Sequence, residues 1–218
     1  MVNQLLSMAR AEDEEQGAHR EPVLLTALAT ETVRDFVPRA LDKRIDLGYE
    51  GPADVDRSPR THSLSVLGNA VLLRELVRNL VDNALHYTPA GGTVTVRVVD
   101  DPFGQVVVLQ VEDSGPGIAP SEREQVFRPF YRALGTNVDG SGLGLAIVRV
   151  IADRHGAAIT LTDAQSRLRS ATAGPGNPGA LFTVRFPAAP EPVAAAAEAV
   201  PGPDLAPPAG RRPARHAA

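Results

Sequence analysis

The sequence contains no cysteine, which excludes disulfides and thiolate metal sites and leaves the redox compartment open. No apolar run approaches the roughly 18 to 20 residues needed to cross a bilayer. The opening "MVNQLLSMARAEDEEQ" turns acidic at once, unlike the charged-then-apolar order of a signal peptide. Neither sign of charge dominates: 22 Lys and Arg against 26 Asp and Glu leave a net −4. That balance offers no basis for non-specific attraction to nucleic acid or to a membrane surface. Internal repeats are absent as well. What is present is the composition of a soluble globular protein, 43% hydrophobic and 22% charged. At 218 residues the chain is long enough for one well-packed domain with extensions.

In residues 1 to about 17, Val2, Leu5, Leu6 and Ala9 fall at helical spacing. So short a helix cannot hold itself together alone, so residues 1–20 are read as the end of a helix that packs elsewhere. After a short extended entry at Pro22, a helix is predicted from about Leu25 to Val37, stopped near Pro38. Strands are expected at 44–50 and 61–68, and Asn69 is placed to cap a long helix over 70–87. Two β-branched runs, 93–100 and 105–112, flank the turn-prone "DDPFG" and predict a hairpin. A Gly/Pro-rich loop (113–120), a short polar helix near 121–126, a helix over 142–155 and strands at 157–163 and 180–187 complete the expected α+β domain, residues 21–187. Residues 188–218 are Pro- and Ala-rich with almost no large apolar side chain, and are expected to be disordered.

Three clusters could carry chemistry. In "NAVLLRELVRNLVDNALHYTP", Leu73, Leu76, Val77, Leu80 and Ala84 form an apolar stripe. Asn79 and Asn83, four apart, stack on an adjacent face with His86 a turn further on. The two amides read either as a solvated polar face or as oxygen donors for a hydrated hard cation such as Mg²⁺. In "VEDSGPGIAP", Asp113 at a strand end begins either a plain turn or a site where a carboxylate accepts from the exocyclic amine of adenine. In "DGSGLGLAIVRVIADRHG", Gly140, Gly142 and Gly144 open a helix. The spacing is not the Gly-x-Gly-x-x-Gly of a dinucleotide fold, and no lysine follows as in a Walker A loop. Glycines running into a helix N-terminus still present free N–H groups suited to a phosphate chain; the alternative is a loose loop before a buried helix.

Taken in order, "NLVDNALHY", "DSGPGI", "VFRPFYR", "GSGLGLAIVRVIADRHG" and "GALFTVRFP" closely resemble the catalytic ATP-binding domain of sensor histidine kinases, which shares its fold with gyrase, Hsp90 and MutL. The resemblance covers about residues 21 to 187 and implies a two-layer α/β sandwich of the Bergerat ATP-binding type, with a mixed sheet packed on helices. It implies Asn83 as a Mg²⁺ ligand and Asn79 beside the phosphates and the ion. His86 occupies the place of a basic residue facing the phosphates, and Tyr87 lines the pocket. Asp113 would bind adenine along a wall shaped by Gly115, Gly117 and Ile118. Phe127 and Phe130 would anchor a mobile lid, from about Phe127 to Ser141, and Arg132 would meet the terminal phosphate. Gly140, Gly142 and Gly144 would cradle the phosphates, with Leu143 and Leu145 packing around the nucleotide.

The same resemblance implies cofactors ATP and Mg²⁺ and transfer of the γ-phosphoryl group to a protein histidine. The ATP-hydrolysing members place a water-activating glutamate where this chain has Asn79, which cannot act as a base. None of the five histidines, His19, His62, His86, His155 and His216, sits in an acceptor motif like His-Glu-Leu-Arg-Thr-Pro. The chain is therefore expected to be the donor half only, a fragment of a larger kinase or a product acting in trans. Its expected partners are a dimerisation domain, whose last helix the N-terminal stretch resembles, and a response regulator; the chain itself would be cytoplasmic, without membrane or nucleic-acid contact, and monomeric or weakly dimeric. A non-catalytic ATP-binding regulatory module and an anti-sigma-type serine kinase remain alternatives, the latter disfavoured by the N-terminal helix and the "VFRPFYR" box.

Overall fold

A computed structural model describes residues 20–51, 64–100, 105–132, 141–164 and 177–189. The expectations for the N-terminal helix and for nearly all of the Pro/Ala-rich tail lie outside the described residues, as does the hairpin tip.

Strand β1 (Glu21–Leu24) leads directly into helix α1 (Leu25–Asp42). The sequence predicts a stop near Pro38, but the helix runs past it. Proline removes one backbone hydrogen bond and crowds the preceding turn; tertiary contacts hold the last turn here. Ala40 is buried, and beyond the helix end Lys43 Nζ donates to the Leu85 carbonyl at 3.0 Å. Helix α2 (Ala70–Tyr87) starts where Asn69 was expected to cap it: Asn69 Oδ1 accepts from the N–H groups of Val71 and Leu72 at 2.9 and 3.2 Å. The stripe of Leu73, Leu76, Val77, Leu80 and Ala84 is fully buried. Helices α1 and α2 lie side by side and parallel, tied by the ion pairs Glu31–Arg74, Asp35–Arg78 and Arg39–Asp82, all at one offset of 43 residues.

The main sheet has five strands. Strand β2 (Asp46–Glu50) pairs in parallel with β4 (Thr93–Asp100); β5 (Val106–Asp113), β7 (Ala180–Pro187) and β6 (Ala158–Asp163) follow in that spatial order, all antiparallel. Alternation sends Val94, Val96, Val98, Leu109, Val111 and Phe182 to the buried face. On the other face Arg97 bridges Glu50 and Glu112 across three strands. Strand β3 (Ser65–Gly68) begins after Leu64, with 61–63 of the expected 61–68 outside the described residues, and belongs to a separate two-stranded sheet with β1.

Helix α3 (Gly144–Arg154) begins two residues later than expected. His155 closes it: its Nδ1 meets the Ile151 carbonyl at 2.7 Å, and its Nε2 accepts from the Asn69 N–H at 3.2 Å. One neutral imidazole thus ties the end of α3 to the start of α2. The short helix expected near 121–126 is instead a turn followed by one 3₁₀ turn at Gln125–Phe127. Pro129 holds Arg128 extended, at φ −78° and ψ 140°, which ends the segment there. No helix among the described residues is long and apolar enough to cross a membrane.

Candidate functional site

Parallel packing of α1 on α2, the ends of β5 and β7, and the start of α3 leave a cavity of about 300 Å³ between them. Helix α2 supplies its floor with Asn79, Asn83, His86 and Tyr87, while Asp113, Gly117 and Ile118 come from the end of β5 and the loop after it. Arg132, Gly142, Gly144 and Leu145 close the opposite side. The three motif clusters, distant in sequence, therefore face one space.

Asn79 is buried, and its Nδ2 donates to the Glu75 carbonyl at 2.8 Å and the Glu75 carboxylate at 3.1 Å. That arrangement spends the amide nitrogen on the helix and turns the oxygen toward α3. A Cβ on Gly144 would stand 3.1 Å from this Oδ1, so glycine lets the helix start come close. The Asn83 amide lines the cavity without a hydrogen-bond partner among the described residues, which fits an oxygen donor waiting for a cation or its water. No cluster of three His, Cys, Asp or Glu able to hold a metal occurs among the described residues. A metal here would rest on amide oxygen and ligand phosphate.

Among the described residues no side chain caps the first turn of α3: Leu143 occupies the N-cap without such a bond, and its own N–H donates to Ser141 Oγ at 3.3 Å. A helix start of this kind presents first-turn N–H groups to an anion, and the helix dipole favours one. Gly142 sits at φ +69°, and a Cβ there would lie 2.8 Å from the backbone of Phe130. Glycine is needed here for both reasons.

At the other end Asp113 is buried beneath the cavity wall. The Gly115 N–H donates to its Oδ1 at 2.8 Å. Burial pushes its pKa up from 3.8 to about 6, against the pull of the Gly115 and Ala180 N–H groups and with a push from the charge of Glu112. Around it Ile118, Val126, Ala180 and Phe182 give an apolar surface, and apolar walls with one carboxylate among them suit an aromatic base with an exocyclic amine. His86 is pushed the other way. Burial lowers its pKa, and Lys43, Arg39 and Arg132 add to this against Asp82. Its Nε2 is enclosed with no partner among the described residues, so the ring is held toward its neutral form.

Several expectations change. Leu143, expected against the nucleotide, is fully buried in the core, because the residue that caps α3 turns its apolar side chain inward. Gly115 does not line the cavity and acts one step behind it by holding Asp113. Phe127 is buried, edge-on to Phe182 at 6.3 Å between ring centres and with the Arg149 guanidinium 4.6 Å above its ring. Phe130, expected as its companion anchor, is 67% exposed at φ +63°, since the chain reverses there to bring Gly142 alongside. Gly140 and most of the expected lid fall outside the described residues. The cavity is also lined by residues to which the sequence reading gave no role: Asp82, Tyr131 and Ser141, which lie within the quoted motifs, and Arg39 on α1, which lies in none. Asp82 lies between motif residues and was legible as a neighbour of Asn83; nothing local in the sequence marks Arg39.

Comparison with known proteins agrees with this geometry. Residues 68–190, more than half of the chain, match the family of histidine kinase-, DNA gyrase B- and HSP90-like ATPases. The chain belongs to this family. Sensor protein kinase PmrB of Pseudomonas aeruginosa is 37% identical over 162 residues, covering 74% of this chain and 31% of its own. Among solved structures, the mycobacterial sensor histidine kinase MprB is 31% identical with a TM-score of 0.62, over 78% of this chain and 99% of that one. Full-length ShkA in complex with AMPPNP is 27% identical with a TM-score of 0.65, over 86% of this chain and 35% of that one. The fold is the Bergerat-type ATP-binding fold of histidine kinase catalytic domains. The chain spans about a third of the length of the curated relatives it matches.

Proposed function

We propose that this chain binds Mg²⁺·ATP in the cavity and donates the γ-phosphoryl group to a histidine on a dimerisation domain, within a two-component system that includes a response regulator and operates in the cytoplasm. The observation that carries this reading is the convergence of Asn79, Asn83, Asp113 and the start of α3 on one cavity. Asp113 would accept from the adenine amine, the first turn of α3 and Arg132 would hold the phosphates, and Asn83 would hold the ion. When bound, Mg²⁺ would neutralise phosphate charge as it builds. The AMPPNP complex of ShkA supports an adenine nucleotide as the ligand class.

What the cavity offers a water molecule supports an acceptor other than water. Its carboxylates, among the described residues, are Asp113 and Asp82. Asp113 is buried at the adenine end, and Asp82 is paired with Arg39. Asn79 cannot take a proton from water. A histidine can attack the γ-phosphorus with the lone pair of its neutral imidazole nitrogen, without prior loss of a proton. The bond to the bridging oxygen breaks, ADP leaves and the proton on the other ring nitrogen passes to solvent afterwards, with positioning doing most of the work.

Replacing Asn83 with alanine should remove the magnesium dependence of ATP affinity. Titration calorimetry with and without Mg²⁺ checks this: a variant that keeps the wild-type difference places the ion elsewhere. Transfer itself is tested by mixing the full chain with a histidine-kinase dimerisation domain and γ-labelled ATP. An acid-labile phosphohistidine supports donation, whereas binding without transfer leaves a nucleotide-binding regulatory module. Acid-stable phosphoserine on a protein substrate would point to the serine-kinase alternative.

A further inference from the structure

Two of the three ion pairs between α1 and α2, Glu31–Arg74 and Asp35–Arg78, put the acid on α1 and the arginine on α2. The third, Arg39–Asp82, is reversed. It is also the pair that reaches the cavity, which both of its members line, while the four residues of the other pairs do not. The reversal places the guanidinium on α1 and the carboxylate on α2, both at the space they share with Asn83, His86 and Arg132. Asp82 engages one end of the Arg39 fork, and no other described residue bonds the remainder. A guanidinium carries five N–H donors in a plane that matches phosphate oxygens, so one carboxylate leaves it unsaturated. Arg132 also lines the cavity, whereas Lys43, bonded to the Leu85 carbonyl at 3.0 Å, does not, and His86 is held toward neutrality by burial and by the cations around it.

We infer that Arg39 is a phosphate-binding residue of this cavity, oriented by Asp82 and donating to the nucleotide's phosphate chain from α1, an element that carries none of the motifs. This rests on the nucleotide reading of the cavity. Asp82 then has two opposed effects: it aims the guanidinium, and it repels the polyanion that the guanidinium attracts.

The experiment is titration calorimetry of the full chain with ATP and with adenosine, for the wild type and for Arg39→Gln, Arg39→Lys and Asp82→Asn, each checked by its melting curve. Loss of a charge-assisted contact should weaken ATP binding by Arg39→Gln roughly tenfold or more. Adenosine, which has no phosphates, should bind Arg39→Gln as it binds the wild type. Arg39→Lys should recover part of the loss, and Asp82→Asn should change ATP affinity less than Arg39→Gln does, because its two effects oppose each other. Wild-type ATP affinity in a folded Arg39→Gln overturns the inference. So does equal weakening by Arg39→Gln and Asp82→Asn, which would make the pair only a strut between the helices. Should the wild type bind neither ATP nor adenosine, the nucleotide reading itself falls and the inference with it, a result distinct from the other two.

Discussion

Asp113→Asn should lower ATP affinity by roughly tenfold to a hundredfold, the range expected for losing one buried charge-assisted hydrogen bond. The proposed contact needs an acceptor facing the adenine amine. Asparagine can keep its oxygen on the Gly115 N–H, now 2.8 Å from Asp113 Oδ1, only by turning its own NH₂ toward other donors. Two donors would then face each other at the wall. Isothermal titration reads the loss directly, and undiminished affinity in a folded variant would remove Asp113 from the adenine site.

The same substitution should change how the free protein responds to pH. The carboxyl of Asp113 titrates at about 6 in the folded chain against an ordinary 3.8. The folded state therefore takes up this proton first as pH falls. Asp113 ionisation penalises the fold above about pH 6, and the penalty is relieved progressively between about pH 6 and 4. At ~1.4 kcal/mol per pH unit, roughly two units amount to about 3 kcal/mol. Denaturant melts of wild type and Asp113→Asn across this window should show that contribution in the wild type alone. Parallel pH profiles for the two proteins would contradict the burial of an ionising group there.

Gly179→Ala is expected to be the most damaging small substitution, costing about 3 kcal/mol of stability: roughly 1–2 for left-handed backbone and about 1–3 for forced overpacking. Gly179 sits at φ +67°, and a Cβ there would lie 2.2 Å from the Asp113 carbonyl oxygen. That neighbour is backbone in the sheet and cannot swing aside. The Gly179 N–H also donates to the Gly115 carbonyl at 3.0 Å, so a shift at this point disturbs the loop that holds the Asp113 carboxyl. Urea denaturation should show a lower midpoint, and ATP affinity should fall with it. An alanine variant as stable as wild type would mean that the β5–β7 junction is looser than its packing indicates.

The elements were legible where a pattern is local. The β-branched runs of β4 and β5 alternate without ambiguity, Asn69 precedes an apolar stripe at helical spacing, and β7 falls at 180–187 as expected. The ends were less legible, because ends are decided by neighbours. Pro38 reads as a stop, yet α1 continues, since a buried Ala40 and the contacts around Lys43 outweigh one missing hydrogen bond. The family resemblance implied that Leu143 packs around the nucleotide and that Phe130 anchors a lid. One turns into the core and the other out to solvent, a choice made by backbone direction at a chain reversal that residue identity does not encode.

By itself the sequence determined which chemical groups are available and roughly which elements carry them: stacked amides on a helix, a carboxylate at a strand end, glycines before a helix. These are short-range patterns, set by the periods of the helix and the strand. Only the tertiary structure decided that they surround one cavity, and that Arg39, 43 residues before its partner, joins them. Packing of α1 on α2 brings that guanidinium to the cavity, and such a contact depends on the relative placement of two whole helices, which no window along the chain contains.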